Sequence, residues 1–173
     1  MTRPLSRLIS WGCSLAIALQ VLAGLYGLLN IEAFVALARE QLTLPIQWQT
    51  VAPWQGYLLF AATVACALPG LAALYFLRRP FSNFARGELF NAANSRALRR
   101  FAALLLLHAL LRPVHTAIAS VVLSLNHPAG EKMLSLTFGS DELSAVGLAL
   151  VFWVLSNLLL EGSRLHAENR QFV

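Results

Sequence analysis

Charged residues are scarce in this sequence. Only 12% of the 173 residues are charged, against about 25% in soluble globular domains, while 58% are hydrophobic. This balance argues against a soluble core. It predicts membrane-spanning helices, because four stretches reach the roughly 18 apolar residues that a spanning helix needs. They are Leu8 to Ile31, Trp54 to Leu77, Phe101 to Gly130 apart from Arg112, and Leu143 to Leu160.

Cysteines and catalytic motifs are equally sparse. Cys13 and Cys66 lie inside apolar stretches without the spacing of a metal or redox motif, so we expect two small buried thiols. The sequence has no Ser/His/Asp ordering, no phosphate-binding loop and no paired carboxylates at membrane depth. We therefore expect no enzymatic activity, no metal site and no cofactor.

The basic residues fall in alternate loops. Arg39 and Lys132 lie in two of the loops, whereas the N terminus, the segment 78–100 and the tail carry ten of the thirteen basic residues. Cytoplasmic loops of membrane proteins carry such an excess. The pattern predicts a membrane protein with both termini in the cytoplasm, and it explains the basic pI without direct nucleic-acid binding.

The predicted fold is all-α: one membrane domain over residues 1–173, a four-transmembrane-helix bundle. Alternating apolar residues around Ile46 and Leu136 predict that the two outer loops lie together as a small β-like cap, with two separate loops as the alternative. The segments run as follows: spans at about 8–30, 54–77, 101–125 and 141–160, outer loops at 31–53 and 126–140, a cytoplasmic loop at 78–100 and a cytoplasmic tail at 161–173.

The cytoplasmic loop contains signals for helix ends. Pro80 predicts the start of a short helix that ends at Arg86, and Gly87 suits a helix C-cap with positive φ. Asn91 or Asn94 then offers an N-cap for the third spanning helix. We therefore expect an ordered turn here.

One unusual group of polar residues lies on the third helix. His108, Arg112 and His115 are spaced i, i+4 and i+7, so they share one helix face. A central arginine costs about 2.5–3.5 kcal/mol to insert, so Arg112 should face other helices. Two interpretations stay open: a site for a small ligand, ion or proton, or a hydrogen-bond network that fixes helix register. The candidate partners follow from a depth count at about 1.5 Å per residue from the membrane surface, with each spanning helix starting at that surface. The count puts Gln20 and Thr63 or Cys66 at the level of Arg112, and Ser156 and Asn157 nearer His108.

Three motifs in the second half of the chain resemble a known family. The motifs are Phe84-x-x-Gly87-Glu88-x-Phe90-x-x-x-Asn94-x-x-x-Leu98-Arg99-Arg100, then Leu134-Ser135-Leu136-x-Phe138, then Glu161-Gly162-x-x-Leu165-x-x-Glu168-Asn169-x-x-Phe172-Val173. In these the sequence resembles domain-of-unknown-function family 2975, small bacterial four-helix inner-membrane proteins. The resemblance covers about residues 74–173, and the first two helices match only in hydropathy.

Members of that family are often encoded next to a short helix-turn-helix regulator. The resemblance therefore implies a membrane-bound regulatory partner of a cytoplasmic transcription factor. Small residues on several helices also leave room for a homo-oligomer. The expected contact face comprises Phe84, Arg86, Gly87, Glu88, Phe90, Asn94, Arg99, Arg100, Glu161, Gly162, Glu168, Asn169 and Phe172.

Overall fold

The structure, a computed structural model, is all-helical over the residues it describes. These are residues 2–42, 44, 46–87, 91–128 and 130–169, with side chains described between 4 and 164. They contain no strand, so the predicted all-α fold is confirmed. The helices are α1 (Thr2–Leu29), α2 (Ile31–Gln41), α3 (Pro53–Arg86), α4 (Ala92–Ser124) and α5 (Ser140–Asn169), with a 3₁₀ turn at Trp48–Thr50.

Four of these helices are long and apolar enough to cross a membrane. Their best windows have mean hydropathies between 1.6 and 2.2, and at most 22% of any window is buried within the chain. Large side chains such as Trp11, Leu29 and Leu143 remain more than 70% exposed. An apolar surface of this extent requires a cover other than water. The four spans occur in Pro4–Leu29, Pro53–Arg86, Ala92–Ser124 and Ser140–Arg164.

The long helices make their extensive contacts in the order α1, α3, α4, α5. Helix α1 packs on α3, α3 on α4 and α4 on α5. Phe101 of α4 meets Phe152 of α5 edge to face, with ring centroids 4.8 Å apart. Ser95 donates a hydrogen bond of 2.6 Å to the Ser156 carbonyl, which fixes the antiparallel register of α4 and α5.

The turn between α3 and α4 defines one end of the molecule, the arginine end. Gly87 terminates α3 with φ 89°, a conformation that favours glycine. Asn91 caps α4 by accepting the Ala93 N–H at 2.9 Å. Both predictions are confirmed. The separate short helix from Pro80 is wrong, because α3 continues through Pro80 to Arg86; a proline inside a helix removes only one N–H donor, and this ring is buried.

The opposite end, the cap end, is closed by α2, the 3₁₀ turn and the loop after α4. Ile46 packs with Leu59, Ala119 and Leu123 in a buried apolar cluster. The two outer loops do lie together, since the Asn126 amide donates to the Thr50 carbonyl at 3.2 Å. They form no strand pair among the described residues, so the β-like cap is wrong there. Thr43 and Pro45 lie outside the described residues.

The segment 131–139 runs back along α4 before α5 begins. The Met133 N–H donates to Ser124 Oγ at 3.1 Å, and the Ser135 N–H donates to Ser120 Oγ at 2.9 Å. Helix α5 therefore starts at the level of Arg112 on α4. The part of α4 from Arg112 to Ser124, about 18 Å long, extends beyond that level. This offset places the first turn of α5 beside Arg112.

We expect Ser120→Ala to loosen this returning segment. Ser120 is fully buried, and its hydroxyl accepts the Ser135 N–H, so the alanine leaves that donor without its partner, at a cost of about 1 kcal/mol. Amide hydrogen exchange should accelerate at residues 131–139. Ser144→Ala is the control, because Ser144 is exposed and bonds only to a carbonyl within its own helix. Unchanged exchange in the Ser120 variant would contradict the role of this contact.

Candidate functional site

A polar cavity of about 570 Å³ lies between α3, α4 and the start of α5. Its volume falls in the range of small-molecule sites, about 300–1,000 Å³. The end of α2 and the returning segment close its rim. The lining residues are Gln41, Leu42, Leu44, Thr63, Cys66, Ala67, His108, Arg112, His115, Thr116, Ser135, Thr137, Gly139, Ser140, Asp141 and Glu142. The cavity thus brings together His108, Arg112 and His115, the residues predicted to share one face of the third helix.

Arg112 is held by two carboxylates from the first turn of α5. Its Nε lies 3.1 Å from Glu142 Oε1, and its Nη1 lies 3.8 Å from Asp141 Oδ2. The Glu142 side chain is 10% exposed, whereas those of Arg112 and Asp141 are 49% and 76% exposed. Glu142 Oε2 also accepts the Gly139 N–H at 2.7 Å. One buried carboxylate therefore satisfies a free N–H at the start of α5 and anchors α5 to α4.

The two histidines are fixed by hydrogen bonds to α3. Thr63 donates its hydroxyl proton to the Leu59 carbonyl, so His115 Nε2, 2.8 Å away, must donate to Thr63 Oγ1. His108 Nδ1 lies 3.1 Å from the Cys66 carbonyl, which can only accept, so Nδ1 carries the hydrogen. In a neutral His108 ring, Nε2 is then an acceptor. The cavity wall therefore combines an ion pair with two oriented imidazoles.

The predicted neighbours Gln20 and Asn157 are wrong. Gln20 is exposed on α1, which packs on α3, and Asn157 is exposed towards the arginine end. Ser156 bonds to Ser95 rather than approaching His108. The depth count failed because it started α5 at the end of α4. The signal for the true partners was available: Glu142 and Asp141 are acids next to an apolar stretch, suited to the one arginine inside another.

Gly70 makes room for the His108 ring. A Cβ at this position would lie 3.2 Å from His108 Cε1 and Nδ1, so the ring would have to move. We expect Gly70→Ala to weaken the bond to the Cys66 carbonyl and to shift the His108 ring resonances in NMR spectra. Gly147→Ala, with open space around its Cβ, is the control. An unchanged His108 resonance would contradict the proposed packing.

The described residues of the predicted contact face gather at the arginine end. Asn94 is buried and accepts from Asn83 Nδ2 at 2.7 Å. Arg99 and Arg100 stack over aromatic rings on neighbouring helices. Glu88, Phe90 and Phe172 lie outside the described residues, as do the side chains of Glu168 and Asn169 on α5. The others at this end are Phe84, Arg86, Gly87, Glu161 and Gly162.

Comparison with known proteins gives one match. No curated protein and no solved structure matches the chain. A family model described as "Protein of unknown function (DUF2975)" matches residues 8–172 and so includes the first two helices. The chain belongs to this family of proteins of unknown function.

Proposed function

We propose that this chain is a multi-pass inner-membrane protein that binds a small polar ligand from the outer side, in the cavity around Arg112. The observation that carries this proposal is the cavity itself, where an ion pair and two oriented imidazoles line about 570 Å³. A network that only fixed helix register would need no space beside it.

The distribution of basic residues supports this orientation, in which the cavity opens to the outer side. The arginine end carries Arg78, Arg79, Arg96, Arg99 and Arg100, whereas at the cap end α2 and the loop after α4 carry one basic residue each, Arg39 and Lys132. By the positive-inside rule, the arginine end faces the cytoplasm, and both termini are cytoplasmic. The cap end and the mouth of the cavity then face outwards.

The cavity reaches into the apolar layer in this orientation. If Leu77 marks the inner boundary of a hydrocarbon layer of about 30 Å, the outer boundary on α3 lies near Tyr57. Thr63 and Cys66, which contact the two histidines, then lie about 9 and 14 Å below the outer surface. Non-helical backbone is tolerated at such depth where it lines a cavity that water can enter, and Ser135, Thr137 and Gly139 of the segment 131–139 line this one.

The lining favours a cation or a zwitterion. One arginine faces two carboxylates, Asp141 and Glu142, which leaves a formal charge of −1 when both histidines are neutral. Hydroxyl groups such as those of Ser135 and Thr137 add hydrogen-bonding capacity. Among the described residues, no group of three or more His, Cys, Asp or Glu side chains could hold a metal ion.

A binding screen tests this proposal. The purified chain in lipid nanodiscs is titrated with small amines and amino acids while its melting temperature is recorded. A ligand at 100 times its Kd should add about 2.7 kcal/mol to the stability of the folded state. His115→Gln should weaken binding, whereas Gln20→Leu, outside the cavity, should not. The proposal fails if no amine or amino acid binds saturably, or if both variants bind equally well.

A second candidate function, regulation of a cytoplasmic protein, is favoured by the reach of α5. Because Ser95 lies opposite Ser156, the start of α4 is level with Leu159, and α5 continues about 15 Å beyond that level to Asn169. A projecting helix beside the turn at Gly87 offers a surface for the helix-turn-helix regulator that the family resemblance implies. The chain would then be a non-enzymatic membrane partner of that regulator.

Co-purification from membranes with a helix-turn-helix regulator encoded beside this chain tests this second candidate. Deleting residues 161–173 should abolish the complex and change transcription of the regulator's target genes. If the wild-type chain forms no complex, or if transcription is unchanged after the deletion, this second candidate function is excluded.

A further inference from the structure

A second cavity, the arginine cleft, opens between α3 and α4 at the arginine end. It has a volume of about 660 Å³ and is lined by five arginines: Arg78, Arg79, Arg86, Arg96 and Arg100. The other lining residues are polar, aromatic or alanine, and no carboxylate lines the cleft among the residues that the structure describes. Orientation in the membrane requires only that basic residues lie on one side, not that they converge on one cleft.

Several of these arginines are held in place by neutral groups. Arg79 Nη2 donates to the Tyr75 hydroxyl at 2.7 Å, and its guanidinium lies 5.0 Å from the centroid of the same ring. Arg100 lies 5.3 Å from the Phe76 ring centroid. Within the described part of the chain, only Arg112 forms ion pairs, so none of the five cleft arginines has a carboxylate partner there.

We infer that the arginine cleft binds an anionic phosphate group. Five like charges around one cavity repel each other, and an anion between them removes that repulsion. Guanidinium groups present paired N–H donors that match the oxygens of a phosphate. Asn83 and Ser82, which also line the cleft, add neutral hydrogen-bonding groups. The cleft lies at the cytoplasmic boundary in the proposed orientation, so the phosphate comes from an anionic lipid headgroup or from a soluble phosphate compound.

Native mass spectrometry and thermal unfolding in nanodiscs test the inference. In discs of phosphatidylcholine with phosphatidylglycerol, the chain should retain phosphatidylglycerol. The double variant Arg78→Gln/Arg96→Gln removes two cleft arginines, and it should lower the affinity for phosphatidylglycerol by about fivefold for each arginine. The matched control is Arg7→Gln/Arg164→Gln, which removes the same charge from exposed positions outside the cleft on the same side.

The second arm uses inorganic phosphate with discs of phosphatidylcholine alone. Stabilisation by phosphate, but not by chloride at equal ionic strength, would assign the cleft to a soluble phosphate compound and support the same chemistry. Equal loss of lipid in the two double variants would show diffuse attraction and overturn the inference. A wild-type chain that binds neither phosphatidylglycerol nor phosphate would also overturn it. None of these outcomes depends on a ligand in the cavity around Arg112.

Discussion

Replacing Glu142 with alanine should lower the free energy of unfolding by about 2–4 kcal/mol. The substitution removes a hydrogen bond to a charged group, worth about 1.5–3 kcal/mol, together with the bond to the Gly139 N–H at the start of α5. The full cost of breaking a buried ion pair does not apply, because Arg112 is half exposed and water can solvate it. Thermal unfolding in nanodiscs measures the effect.

Two further variants separate the two roles of this carboxylate. Glu142→Gln keeps an oxygen for the Gly139 N–H but loses the charge, so its loss of stability should fall between those of alanine and wild type. Asp141→Asn should change stability by less than about 0.5 kcal/mol, because Asp141 is 76% exposed and 3.8 Å from Arg112. Equal effects of the Asp141 and Glu142 variants would contradict the assignment of Glu142 as the anchor.

Replacing Gln55 with leucine should cost about 3 kcal/mol or more. Gln55 is fully buried at the cap end. Its Nε2 donates to the Val122 carbonyl at 2.6 Å, and its Oε1 accepts from Ala52 N–H at 2.7 Å and from Asn126 Nδ2 at 2.8 Å. Leucine has a similar size but leaves these groups unpaired, at about 1–3 kcal/mol for each group that stays buried.

The Gln55→Leu substitution should first destabilise the cap end and only then unfold the whole chain. Hydrogen exchange should increase first at the start of α3 and the end of α4, which this side chain joins. Gln49→Leu is the matched control, because Gln49 is exposed in the 3₁₀ turn. If both variants unfold at the wild-type temperature, Gln55 does not hold the cap end together.

The sequence was most informative where one residue decides local structure. Gly87 requires positive φ and Asn91 has a capping side chain, so the turn at the arginine end could be predicted residue by residue. Long apolar stretches likewise predicted four helices long enough to span a membrane. At Pro80 the same reasoning was wrong, because the packing of a long helix outweighs one missing hydrogen bond.

The sequence was least informative about the relative height of the helices. Depth counts assumed that each helix starts at the membrane surface, and this assumption placed Asn157 near His108 and left Arg112 without a carboxylate. The structure starts α5 beside Arg112 because the segment 131–139 binds along α4 through Ser120 and Ser124. Such contacts between distant segments have no signature in the periodicity of either one.

Accessibility of the cavity to water from the outer side is the central claim, and cysteine labelling tests it most directly. In a chain whose Cys13 and Cys66 are replaced by alanine, Ser140→Cys places a thiol on the cavity wall, Leu150→Cys on the exposed apolar face of α5, and Arg79→Cys in the arginine cleft. A membrane-impermeant thiol reagent added to intact cells should label position 140, leave position 150 unlabelled and reach position 79 only after the membrane is permeabilised. Labelling of position 79 in intact cells, or protection of position 140, would contradict the account.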